Sequence, residues 1–303
     1  MRATIATVLV TLPVLAGPAW SAETLAGVYA LPDGQAKVSA TLAASPDQGL
    51  RRTLDIAMTP LGSTSPVHAY ETELTKQLHA IAVSADLRDF VHEHGDKPDR
   101  DGHFRISMPF PHDGLWHIYA DGVPQGLGQQ VMRFDLALGS SPATEPAQAL
   151  APTALEALDG RYSARFDKID LKAGDEAPLS LHLLRDGHPA PDIVPFLGVA
   201  AHAVFIDAAD LSYVHVHAMP AKGPAAAGTA TPMKHEHSSM EGMSGMESMQ
   251  EMAGMGPPLA PGTQVPPDLT LHVRAPKAGR YVLWVQFDGG GTVRTVRFLV
   301  PVG

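Results

Sequence analysis

The sequence predicts an all-β chain built as two tandem sandwiches, from three observations. Apolar residues alternate with polar or small ones in short runs, as at Leu54, Ile56 and Met58, and at Leu179, Leu181 and Leu183. A period of two puts alternate side chains on one face of a strand. Gly, Pro and Asp punctuate the runs, and no long run carries a helical period. Finally, the two halves of the chain repeat each other.

The repeat can be followed element by element. After the first alternating run comes His79-Ala80-Ile81-Ala82-Val83, matched by His202-Ala203-Val204-Phe205-Ile206. An Ala-Asp-Leu turn follows each, at Ala85–Leu87 and Ala209–Leu211. Phe90-Val91-His92-Glu93-His94 then pairs with Tyr213-Val214-His215-Val216-His217. Phe104, Ile106 and Met108 lead to Pro111-x-x-Gly114-x-Trp116, and Leu269, Leu271 and Val273 lead to Pro276-x-x-Gly279-x-Tyr281. Both halves close on Arg-Phe, at Arg133-Phe134 and Arg297-Phe298. About seven strands in about 105 residues is the rhythm of an immunoglobulin-like sandwich. The expected organisation is residues 22–138 and 159–303 as two such domains, joined by a Pro/Ala-rich linker over 139–158. The end of that linker, Ala151–Leu158, has the composition of a short helical turn.

Residues 1–21 read as a secretory signal peptide: Arg2, an apolar stretch to Ala16, then Ala19-Trp20-Ser21 as a small-x-small cleavage site. No stretch is long enough for a membrane span. The expected location is therefore periplasmic or secreted. A formal charge of -10 disfavours nucleic acid as a partner. The chain contains no cysteine, which rules out a disulfide framework and blue-copper electron transfer of the usual kind. No P-loop, dinucleotide glycine motif or nucleophile–base pattern stands out, so an enzyme is not expected.

One place breaks the repeat. Ten residues separate His94 from Phe104, but fifty-two separate His217 from Leu269. The C-terminal half thus carries an insertion, about 219–262, rich in Gly, Ala, Ser and Pro. Without a core-forming cluster it should be disordered until a ligand orders it. It holds Met233, His235 and His237, then Met240, Met243, Met246, Met249, Met252 and Met255 at strict three-residue spacing. Met219 stands at its root. On a helix this spacing would rotate each methionine by about 60° from the last, spiralling around the axis instead of forming a stripe. Thioether sulfur is a soft, neutral donor that selects Cu(I) and, by the same softness, Ag(I). It has no proton to lose or gain, so binding should survive acid.

The second constellation is imidazole. His79, His92 and His94 have the same spacing, 13 and then 2, as His202, His215 and His217. A His-x-His on a strand presents both rings on one face from backbone positions about 6.5–7 Å apart, and a third ring from a neighbouring strand completes a three-nitrogen site. Each triad suits Cu(II) or Zn(II). His103, His112 and His117 fall in or near turns and read as solvated surface groups.

Lys76-Gln77-Leu78-His79, Asp86-Leu87-x-x-Phe90-x-His92-x-His94, Asp101-Gly102-His103-Phe104, Phe110-Pro111-x-x-Gly114, Phe196-Leu197-Gly198-x-x-x-His202 and Tyr213–His217 together resemble the bacterial exported YtkA-like proteins with immunoglobulin-like domains. The resemblance covers most of both halves but not the methionine insertion, and it implies a copper-handling accessory with no catalytic residues. These readings converge on a periplasmic copper chaperone, buffer or resistance factor. Its expected partners are metal ions and a copper exporter or oxidase of the periplasm. The alternatives are a non-metal interaction module of the cell envelope, using exposed sheet edges, and a metalloenzyme built on a histidine site.

Overall fold

The computed structural model describes residues 24–139, 155–221 and 258–303. The expected signal segment, most of the linker and the insertion from Met233 to Met255 lie outside the described residues. Within them every element is a strand, and the chain is an all-β sandwich fold, as its alternation predicts. No described helix is long and apolar enough to cross a membrane.

The N-terminal half holds β1 (Thr24–Ala26), β2 (Val28–Tyr29), β3 (Val38–Pro46), β4 (Arg51–Pro60), β5 (Tyr70–Glu71), β6 (Leu78–Ser84), β7 (Phe90–Gly95), β8 (His103–Pro109), β9 (Gly114–Pro124) and β10 (Gln130–Leu138). One sheet runs β1-β3-β4-β8; the other runs β2-β10-β9-β6-β7, with β5 on β9. Leu42, Leu54, Ile56 and Met58 from the first sheet meet Leu78, Ala80, Trp116, Ile118 and Phe134 from the second in one core.

The C-terminal half holds β11 (Glu156–Asp159), β12 (Tyr162–Phe166), β13 (Glu176–Arg185), β14 (His188–Pro189), β15 (Ile193–Val194), β16 (Ala201–Asp207), β17 (Tyr213–Pro220), β18 (Asp268–Arg274), β19 (Gly279–Gly289) and β20 (Val293–Val302). Here β17 continues past its histidines, and Ala218 pairs with Leu271 on β18. That pairing joins all ten strands into one sheet folded around its own core.

Two expectations are corrected. Glu156–Leu158 is not helical: it belongs to β11, with Ala157 opposite Ala164 on β12. Local Ala/Leu propensity yields to tertiary pairing there. Among the described residues each half also has ten strands, not about seven, because two-residue strands such as β2, β5, β14 and β15 are too short to leave a periodic signal.

The strands that matter for function are β6, β9, β16 and β19. All seven residues of β6 and all seven of β16 are buried, so these strands have an apolar neighbour on both faces. Leu78, Ala80 and Ala82 point into the N-terminal core. The alternate positions Ile81 and Val83 join Tyr119 and Val131 against Val204, Ile206, Tyr213, Val282 and Trp284 of the other half. The two halves therefore pack against each other through a third apolar cluster.

Contacts across this interface recur with the halves exchanged. Tyr119 stacks on Tyr213 at 5.1 Å, and Trp284 stacks on Phe90 at 5.3 Å. Arg133 donates to the Asp210 carbonyl at 3.3 Å, and Arg297 donates to the Leu87 carbonyl at 3.1 Å. Leu87 and Leu211, at the ends of the two Ala-Asp-Leu turns, both have positive φ, 56° and 62°. That backbone is unfavourable for leucine, and it is held because both side chains pack at the interface.

Candidate metal centre

In β6 and β7, His79 lies opposite His94, and Ile81 lies opposite His92. In β16 and β17, His202 lies opposite His217, and Val204 lies opposite His215. The registers match, so each half brings three rings to the same face. In each triad, one donor nitrogen per residue can be chosen so that all three lie within 4.8 Å of one another.

By sequence spacing alone the triads are two separate sites. The packing of the halves makes them neighbours. His79 lies 6.0 Å from His202 and 5.2 Å from His215, centroid to centroid, and His92 lies 5.7 Å and 6.1 Å from the same two rings. His94 and His217 flank this group, 4.2 Å from His92 and 4.6 Å from His215. Six imidazoles from four strands form one cluster at the seam.

Hydrogen bonding fixes the tautomers. Gln286 donates through Nε2 to Thr295 Oγ1 at 3.0 Å, which turns its Oε1 toward His92 Nδ1 at 2.9 Å. His92 Nδ1 therefore carries hydrogen, and its Nε2 offers a lone pair 3.2 Å from His79 Nδ1. In the other half, His202 Nε2 donates to the Phe196 carbonyl at 3.1 Å. His215 Nδ1 lies 3.1 Å from the Asp121 carboxylate. When Asp121 is ionised, His202 Nδ1 and His215 Nε2 both present lone pairs, and they face each other at 3.4 Å. That contact is relieved in one of two ways: a proton retained on Asp121, or a cation between the nitrogens. Two nitrogens each bound at about 2.0 Å to one tetrahedral ion would stand about 3.3 Å apart. The observed 3.2 and 3.4 Å bracket that value.

Three ring nitrogens, His79 Nε2, His94 Nε2 and His217 Nε2, are buried with no hydrogen-bond partner. Each such atom costs about 1–3 kcal/mol of desolvation, a cost that water or an ion among the rings would relieve. Burial pushes the His92 imidazole down to about 4 and His215 down to about 3. His79, His94, His202 and His217 shift the same way, through burial first and neighbouring imidazoles second. All six rings are thus neutral near pH 7, the state in which imidazole ligates metal.

Around the rings lie groups that the sequence reading did not single out. Asp121 is opposite His79 in the β6/β9 register, and Gln286 is opposite His202 in the β16/β19 register. Each reaches across the seam: Asp121 to His215, and Gln286 to His92. Asp121 also accepts from Tyr213 at 3.0 Å and from Gln129 at 2.9 Å, and its side chain is 0% exposed. Burial raises its carboxyl. Glu73 is pushed up to about 8, by burial and then by Asp121. The available signal was a polar residue at a matching place in two otherwise apolar strands, Ala120-Asp121 and Val285-Gln286.

Met219 follows His215 and His217 at the next same-face position of β17, partly buried. Met233, His235, His237, Met240, Met243, Met246, Met249, Met252 and Met255 lie outside the described residues. The described residues flanking that segment sit near the centre. Ala221 donates to the Asp268 carbonyl at 2.9 Å, and Leu259 donates to the Gly198 carbonyl at 2.8 Å. Gly198 follows Phe196 by two residues, and the Phe196 ring packs on His202 and His94. Gly198 has φ +85°, and a Cβ there would come within 3.0 Å of Pro258. His117 corrects its surface assignment: it is 7% exposed and bonded to Asp135 at 2.7 Å. Its outward-facing position on β9 is covered by neighbours. His103 pairs with Asp55, and His112 with Asp89 at 3.2 Å.

Residues 156–303 match the family described as "Domain of unknown function (DUF8832)". No curated protein matches the chain. Among solved structures, a mutant of Salmonella alpha-2-macroglobulin aligns over 93% of this chain and 19% of its own, at 11% identity and a TM-score of 0.20. A likeness so slight has no bearing on fold or function.

Proposed function

We propose that this chain is an exported copper-binding protein that acts as a chaperone, buffer or resistance factor. Its buried centre is the six-histidine cluster between the sandwiches. The observation that carries the reading is the facing pair His202 Nδ1 and His215 Nε2 at 3.4 Å, whose other nitrogens are both bonded elsewhere. The histidines alone favour Cu(II) or Zn(II). Copper is preferred to zinc because of the methionine series Met240–Met255, which supplies soft donors for Cu(I) capture next in sequence to β17. The domain boundaries, the periplasmic location and the likeness to YtkA-like proteins belong to the same proposal.

The test is competition for Cu(I) and Zn(II) against chromophoric chelators at pH 7 and pH 5. The full mature chain is compared with a 222–257 deletion and with His202→Ala/His215→Ala. The proposal expects the deletion to weaken Cu(I) binding at both pH values, and Zn(II) binding at pH 7 to survive the deletion but not the double substitution. No competition by the mature chain for either ion at either pH would overturn it.

A further inference from the structure

The two triads are alike in ring geometry but differ in what stands behind them. The central ring of the C-terminal triad, His215, bonds to a carboxylate, Asp121. The central ring of the N-terminal triad, His92, bonds to a neutral amide, Gln286. Both groups occupy corresponding places on β9 and β19, and both reach across the seam. The turns ahead of β6 and β16 repeat the asymmetry. Glu73 and Lys76 close one turn by a backbone bridge; Phe196 and Val199 close the other. Glu73 Oε2 is buried without a partner, and its carboxyl feels the Asp121 charge. Where the N-terminal half supplies two carboxyl groups, the C-terminal half supplies an amide and a phenyl ring.

Resting on the metal-binding reading, we infer that the six histidines form one two-ion centre with unequal halves. His202, His215 and His217, backed by Asp121, make the tighter half and the one for a divalent ion. His79, His92 and His94, backed by Gln286, make a neutral half suited to a monovalent ion such as Cu(I). A carboxylate on the far nitrogen of a ligating imidazole raises its basicity and offsets ion charge, whereas an amide orients the ring without adding charge. Two ions a few ångströms apart repel, so unequal charges are more easily held side by side than two divalent ones. Asp121 also faces both triads: it lies opposite His79 in the β6/β9 register and bonds to His215.

The experiment is a Zn(II) titration by chelator competition, with the full mature chain, on wild type, D121N, Q286E, H94A and H217A. Circular dichroism checks the fold of each. The expected result is one tight Zn(II) and a weaker second. H217A should lose the tight ion and H94A should keep it. D121N should weaken the tight ion about 10–100-fold, and Q286E should strengthen the second. Cu(I) added anaerobically to the one-zinc protein should occupy the second position, and H94A should abolish that occupancy. Loss of the tight ion in H94A instead of H217A, or an equal effect of D121N on both ions, would overturn the inference. If D121N fails to fold, the H94A/H217A contrast and Q286E still decide it. Absence of Zn(II) binding in the wild type would instead count against the metal-binding reading itself.

Discussion

The imidazoles of the cluster hold free lone pairs because burial resists their protonation, and this has a sign. An unfolded histidine takes up its proton near pH 6.5. In the folded chain His92 does so only near 4 and His215 near 3. As pH falls below about 6.5, the unfolded state binds protons that the folded state refuses, and stability drops. Each buried imidazole contributes a loss of about 1.4 kcal/mol per pH unit until its folded value is reached. The metal-free protein should therefore lose stability steeply between pH 6.5 and 4. Thermal melts should show that loss, and His92→Gln/His215→Gln should flatten the curve. A flat wild-type curve would mean the rings are hydrated. The donor histidines were legible in the sequence because their spacing occurs twice. Asp121 and Gln286 were not, since one polar residue in an apolar strand has no periodicity.

At the scale of elements, β6 and β16 explain why alternation both succeeded and fell short. Their runs, such as Ala80-Ile81-Ala82-Val83, are apolar on both faces. That identifies a strand between two layers but not what the second layer is. The answer is the other half of the chain, which contributes Val204, Ile206 and Trp284 opposite Ile81 and Val83. Leu87 is 0% exposed in this cluster. Truncating it to alanine should cost about 2–5 kcal/mol, measured by urea unfolding, despite the strained φ that the native leucine holds. The insertion between β17 and β18 was legible as a break in the repeat. In Met243→Leu/Met246→Leu/Met249→Leu we expect weaker Cu(I) binding with a melting shift under about 2 °C. Unchanged Cu(I) affinity would remove that segment from the proposal.

Across the whole molecule, the centre exists only because the sandwiches pack. Ile206→Asp replaces no ligand and lies opposite Tyr213, but it places an unpaired charge in the seam, at a cost of several kcal/mol. It should abolish tight Zn(II) binding as fully as a histidine substitution does, in the same chelator competition. Conversely, Zn(II) at about 100 times its Kd should stabilise the chain by about 2.7 kcal/mol. Because the tight triad is backed across the seam by Asp121 of the N-terminal half, calorimetry should show one transition moving upward, not one half alone.

The crossing of Asp121 and Gln286 has a further consequence. Were this seam built by two copies of a single half, each substitution would appear on both sides, and the two ion positions could only change together. One chain carrying both halves escapes that restriction. A carboxylate stands at position 121 and an amide at 286, so the two sides of the seam need not be alike. Joining the halves thus frees a symmetric seam to acquire a direction; on the two-ion proposal, one side would hold an ion and the other would give it up.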